Sequence, residues 1–136
     1  MVNHPLPIVL DTCVVSLLFK GDEPVTYYRE RIIGQRLLIS FQTLEESWFG
    51  AVKNGWADKR RNALGHHLDQ FEVVWPSPNM VRISANLRSE REKSGRRLNT
   101  ADAWIAATAI MLQCPLASND GDFGDIPNLQ LIRAPS

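Results

Sequence analysis

Histidine and cysteine are scarce in this chain of 136 residues: three of the first, two of the second. Cys13 and Cys114 match no metal or redox spacing, and their distant positions form no disulfide framework, so they read as reduced thiols in a cytoplasmic protein. His4, His66 and His67 lie outside every motif noted below and read as surface residues rather than metal ligands. Charge of one sign is also missing. Lys+Arg and Asp+Glu are both 15, giving a net charge of zero, so any nucleic-acid partner would need a local basic patch. The longest apolar run is about a dozen residues, too short to cross a bilayer. Met1–Pro7 lacks the basic start and long apolar stretch of a secretory signal. Repeats, linkers and low-complexity tracts are absent as well. What is present is a 44% share of hydrophobic residues, enough for a single domain over 1–136 with a substantial core.

The chain is organised around Asn99–Leu112. From Ala103 onward this stretch is apolar on every side, with Thr108 its one polar residue, as expected of a helix packed on more than one face. Alanines at 101, 103, 106, 107 and 109 favour helix and allow neighbouring backbones to approach. Asn99 or Thr100 can cap the first turn, which places Asp102 at the second or third helical position. Asp102 either complements the helix dipole, worth ~0.3–1 kcal/mol, or stands at the mouth of a site on a buried rod.

Around this helix, Pro7–Asp11 reads as a buried strand ending in an acid, and Cys13–Phe19 as a short helix stopped near Gly21. Pro24–Ile33 has the punctuation of a helix, with Gly34 just past its end. Leu37–Ser40 is a second strand. The helix after it shows apolar positions 44, 48, 51 and 52, with Thr43 and Glu46 at capping-box spacing. Ala57–Leu68 is amphipathic with a basic face, Phe71–Trp75 a third strand, Met80–Ser94 a polar helix, and Leu116–Ser118 and Leu129–Ile132 two further strands. Trp48 and Trp104 fit core positions; Trp56, after Gly55, is a candidate for partner contact.

Strands alternating with helices predict an α/β fold, a parallel sheet of about five strands covered on both faces, with sites at the carboxyl ends of the strands. That edge gathers Asp11, Glu46, Asp120 and Asp122. Asp102 opens the helix leading into the fourth strand, and alternation alone puts it at the opposite edge unless the preceding connection carries it across. Carboxylates brought together raise one another's pKa values unless a cation sits among them, and an all-oxygen donor set suits Mg²⁺ or Mn²⁺ rather than zinc.

Four motifs in order, Ile8-Val-Leu-Asp-Thr12, Ser40-x-x-Thr43-x-x-Glu46-x-x-x-Gly50, Asp102-Ala-Trp-Ile-Ala-Ala-Thr-Ala109 and Ser118-Asn-Asp-Gly-Asp-Phe123, resemble the PIN-domain ribonucleases and, more narrowly, VapC toxins of toxin–antitoxin pairs. The resemblance spans essentially the whole chain. It implies a three-layer α/β/α sandwich in which Asp102 joins the other acids. Asp11, Glu46, Asp102 and Asp120 match the family's catalytic, metal-site acids and Asp122 a frequent additional one, while Thr12 and Ser118 match supporting hydroxyls. Glu45 does not match, since the pattern sets the functional Glu three residues after Thr43. Cys13 stands where such chains often have Asn or Ser, and Ser47 replaces a usual apolar residue.

The implied activity is hydrolysis of RNA phosphodiester bonds with one or two Mg²⁺ or Mn²⁺ ions, which activate water and stabilise the leaving oxygen. The implied partners are an RNA substrate, a small VapB-like antitoxin covering helices 13–33 and 43–56, and a second copy of the chain in a homodimer. Arg88, Arg91, Lys93, Arg96 and Arg97 form either a solvated helix end or a phosphate-binding rim. Two other classes fit less well. A phosphoacceptor signalling domain needs an acid pair after the first strand and a Lys after the fifth, and here Asp11-Thr-Cys and Arg133 stand instead. A scaffolding, RNA-binding PIN domain should have lost acids, and all four are present.

Overall fold

The computed structural model describes residues 4–135; residues 1–3 and 136, part of the expected single domain and, for 1–3, of the stretch read for a secretory signal, lie outside the described residues. The elements in chain order are β1 (Pro7–Leu10), α1 (Thr12–Lys20), α2 (Val25–Ile32), β2 (Arg36–Ser40), α3 (Phe41–Lys53), α4 (Asp58–Leu68), β3 (Glu72–Val74), α5 (Pro78–Lys93), α6 (Thr100–Leu112), β4 (Leu116–Ala117) and β5 (Leu131–Ile132), with a 3₁₀ turn at Gly121–Phe123 between the last two. The strands form one sheet in the order β3-β2-β1-β4-β5, and every pairing is parallel.

Strand parity builds the layers. Successive side chains point to opposite faces, so Ile8 and Leu10 of β1, Ile39 of β2 and Ala117 of β4 enter one core with Val14, Val15, Tyr28, Leu64 and Leu68. Val9, Leu38 and Leu116 enter the other with Ala103, Ile105, Ala106 and Ala109 of α6. Both faces of the sheet are therefore dry, which is why the strands read as continuous apolar runs rather than alternating ones. The α/β/α sandwich follows directly. α6 is the buried rod its composition predicts: Ala103 and Ile105–Ala109 are all buried, and the hydroxyl of Thr108 donates to the Trp104 carbonyl at 2.8 Å.

Asp102 stands with Asp120 and Asp122, and not at the far edge where strand–helix alternation alone would leave it. A whole helix, not a loop, carries the chain across. Ser77, the N-cap of α5, touches Met111 at the C-terminal end of α6, with its hydroxyl 3.2 Å from the sulfur. At its other end α5 reaches the carboxyl edge, where Arg91 donates to the Asp122 carbonyl. α6 therefore starts beside the acids and runs back down to begin β4.

Other expectations need correction. Thr43 is not a cap. Ser40, the last residue of β2, caps α3 by accepting from Gln42 N at 3.1 Å, so the helix begins a turn earlier and Thr43 is buried inside it. Trp48 is 37% exposed, its ring resting on Gly65 of α4, and Trp104 is only half-buried, edge-on to Phe41 at 5.2 Å. His67 is half-buried rather than superficial, with Nε2 2.9 Å from the Val15 carbonyl oxygen. β3 and β5 are shorter than the apolar runs suggest, because Phe71 N bonds back to Leu68 O and Leu129 N to Ile126 O in turns.

Candidate active site

Each acid is delivered by a defined local structure. Asp11 follows β1 and is the N-cap of α1: Oδ1 accepts from Val14 N at 2.8 Å, and Oδ2 accepts from the buried Ser118 hydroxyl. The side chain is only 4% exposed. Burial pushes its pKa up to about 6, against the two hydrogen bonds, and Asp120 and Glu46 add to the rise.

Glu46 lies one turn into α3. The Thr12 hydroxyl is 2.8 Å from its Oε1 and 3.1 Å from the Thr43 hydroxyl, so the residue after Asp11 orients the second acid. Ser47, the polar substitution in this motif, satisfies itself by donating to the Thr43 carbonyl at 2.8 Å.

Asp102 is at the third helical position of α6, reciprocally bonded to its cap. Its N–H donates to Asn99 Oδ1 at 2.7 Å, and Asn99 Nδ2 donates to its carboxylate at 3.1 Å. Burial first, then Asp120, Asp122, Glu46 and Asp11, push its pKa up to about 6. Asp120 follows β4. Its N–H donates to Ser118 Oγ at 3.0 Å, and its Oδ1 accepts from Asp122 N at 2.9 Å. One hydroxyl, Ser118, thus ties the first acid to the loop of the last two.

Carboxylate oxygens of Asp102, Asp120 and Asp122 all lie within 4.8 Å of one another. Asp11 and Glu46 flank this trio closely enough to raise the Asp102 pKa. Among the described residues, the ion pairs (Arg31–Glu30, Arg36–Glu72, Lys93–Glu90, Arg96–Asp125) involve none of the five acids. The donor set is hard oxygen throughout, which fits a small divalent cation better than a softer metal.

The five expected basic rim residues do not act as a group. Arg91 is buried, 8% exposed, and its guanidinium holds the Asp122 carbonyl, so it is removed from the rim. Arg88 is half-buried, Lys93 lies 3.6 Å from Glu90, and Arg96 pairs with Asp125; Arg97 is exposed. Trp56, the candidate for partner contact, is half-buried with Phe19 stacked on it at 5.7 Å and the Arg60 guanidinium 3.8 Å from its ring centre. Residue-type reasoning missed three neighbours of the acids. Arg133 lies over Gly121 in the acid loop, where a Cβ would meet its guanidinium at 3.8 Å. Tyr28 and Asn119 meet through their side chains beneath the same loop. Asn119 stands inside the fourth motif, but only the fold brings Tyr28 of α2 and Arg133 after β5 to this edge.

Acids converging at the carboxyl edge of a five-stranded parallel sheet, between two helical layers, define a PIN-type fold. The chain belongs to the PIN-domain family, whose model matches residues 8–129. Within that family its relatives are VapC ribonucleases. It is 30% identical to ribonuclease VapC5 of Mycobacterium tuberculosis over 125 residues, 90% of each chain. It is 28% identical to ribonuclease VapC2 of Rickettsia felis over 129 residues, 90% of this chain and 94% of the relative. The fold matches that of VapBC2 from Rickettsia felis, solved bound to a DNA fragment from its promoter, with a TM-score of 0.84 at 24% identity over 96% of this chain and all of that one. VapBC-5 from Mycobacterium tuberculosis matches with a TM-score of 0.70 at 25% identity, again over 96% of this chain and all of that one.

Among the described residues, no helix is long and apolar enough to cross a membrane.

Proposed function

We propose that this protein is a Mg²⁺- or Mn²⁺-dependent endoribonuclease acting in the cytoplasm as the toxin of a VapBC-type pair. The observation that carries this reading is the trio of Asp102, Asp120 and Asp122, in no ion pair among the described residues and flanked by Asp11 and Glu46. These five acids would hold the metal. When bound, it acidifies water and offsets charge on the scissile phosphate. The chain's own part is positioning. Ser118 and Val14 N fix both oxygens of Asp11, Thr12 fixes Glu46, and the Asn99 cap fixes Asp102. Exposed Arg97 and, beside the acid loop, Arg133 offer cations to the RNA backbone, whereas Lys93 and Arg96 would first have to leave Glu90 and Asp125.

A partner reading rests on a separate feature. A groove between α1, α3 and α4, lined by Phe19, Lys20, Ala51 and Trp56, runs to Thr12 and Glu46. Phe49 and Val52 of α3 are exposed to 58% and 62%. This surface suits the apolar and charged tail of a VapB-like antitoxin. Homodimer formation belongs to the same reading.

The test is cleavage of a total RNA pool by wild type and Asp11→Asn, with and without EDTA. Wild type is expected to release products with 5′-phosphates, ligatable without kinase treatment, and the variant and the EDTA sample none. Cleavage that continues in EDTA, or 5′-hydroxyl products, overturns the mechanism. Growth arrest on expression, relieved by a small co-expressed partner, tests the toxin role.

A further inference from the structure

Tyr28 is wholly buried in α2, in the core of Leu10, Val14, Val15 and Ile32, with its ring edge-on to Tyr27 at 5.3 Å. Phenylalanine would fill that space equally well. The hydroxyl therefore serves polar partners, since burying it unpaired is costly. It has two. It donates to Asn119 Oδ1 at 3.0 Å and accepts from Ala134 N at 3.2 Å. The first partner matters most. Asn119 lies between Ser118, whose hydroxyl bridges Asp11 and the Asp120 N–H, and Asp120 itself. Beyond β4 the loop keeps one ladder-like bond, Ser118 N to Ile132 O at 3.0 Å. Among the described residues, the side-chain hydrogen bond that ties Asn119 to the first core layer comes from the Tyr28 hydroxyl, while Arg91 holds the far side at Asp122.

We infer that the Tyr28 hydroxyl is a positioning group for Asp120: through Asn119 it sets where that carboxylate stands relative to Asp102 and Asp122. This rests on the metal-site reading above. A simple fastener between α2 and the segment after β5 would use only the Ala134 bond, and would place no demand on Asn119. Outer partners that orient metal-binding side chains are worth about 10–100-fold in affinity or activity.

The experiment measures Mn²⁺ affinity by calorimetry, well below the melting temperature, for wild type, Tyr28→Phe, Asn119→Ala and the double variant. Each single variant is expected to weaken Mn²⁺ about tenfold, and the double variant no further, because both remove one connection. RNA cleavage should lose kcat with KM unchanged. Asn119→Ala changes an exposed loop residue, so it carries the test if Tyr28→Phe folds poorly. If Tyr28→Phe lowers the melting temperature while Mn²⁺ affinity and kcat stay within about twofold of wild type, against the ~10-fold expected, the hydroxyl is only a fastener and the inference is overturned. Additive effects of the two variants overturn it as well. Failure of the wild type to bind Mn²⁺ instead refutes the site reading on which it rests, a separate result.

Discussion

The five acids fall into two halves built differently. Asp11 and Glu46 are held by hydroxyls from other elements, Ser118 and Thr12, over sequence separations of 107 and 34 residues. The carboxylates of Asp102 and Asp120 take their hydrogen bonds locally, from the Asn99 cap and from the Asp122 N–H, and with Asp122 their oxygens crowd within 4.8 Å. In the fastened half both Asp11 oxygens and one Glu46 oxygen already accept a hydrogen bond before any ligand arrives. The crowded half has carboxylates facing carboxylates, an arrangement that repels itself until a cation arrives. The contrast teaches which half should respond to metal and which to the fit of the fold.

The largest effect should come from the crowded half. Asp120→Asn is expected to reduce RNA cleavage and Mn²⁺ affinity by more than about 100-fold, beyond what outer partners supply. A similar loss from Asp102→Asn completes the comparison; full activity in either would show that the trio is not the centre. Next comes the fastened half. Thr12→Val should cost about tenfold in kcat by releasing Glu46, and Thr12→Ser should recover most of it. If Thr12→Val is as damaging as Asp120→Asn, the two halves are not distinct.

Stability against pH tests one acid from each half together, from the side of folding. Asp11 and Asp102 both have folded pKa values near 6, above the ordinary 3.8. A raised pKa means the folded state binds protons more tightly. Their contribution is therefore fully present below about pH 4 and lost as pH rises through about 6. The metal-free protein should melt at progressively lower temperature from pH 5 to pH 7, with Asp11 contributing about 1 kcal/mol of the fall over that interval. Mn²⁺ at pH 7 should reverse the fall, and in Asp102→Asn that reversal should shrink. A melting temperature that rises from pH 5 to pH 7 would contradict the sign. The smallest effect is expected at the rim. Arg97→Ala should weaken RNA binding evenly across sequences and reduce the salt slope by about one; binding assays at several salt concentrations check this.

Legibility in the sequence followed the same division. α6 declared itself, because a helix apolar all round has no exposed solution. The parallel sheet followed from alternation, and Asp11 from an acid ending a dry strand. Residues acting through distant partners were harder. The Thr43–Glu46 spacing resembles a capping box, yet Ser40 had already capped the helix, which left Thr43 in the core and Glu46 free for Thr12. Arg91 looked like one more surface cation in a basic helix end, although the fold buries it under Asp122. Asp102 was misplaced by alternation because two helices, α5 and α6, connect β3 to β4 where the rule assumes one.

That doubled helix has a consequence for how such a protein can change over generations. The segment joining α5 to α6 turns at Gly95, where φ is 76°, and is anchored again at the buried Leu98 just before the Asn99 cap. Between those points the chain pairs with no strand and supplies no acid, yet it borders the edge where the acids gather. Insertions or replacements there would alter which RNA shapes can approach while leaving the carboxylates in register. A lineage could exchange targets by editing a few surface residues, with the cutting chemistry inherited intact.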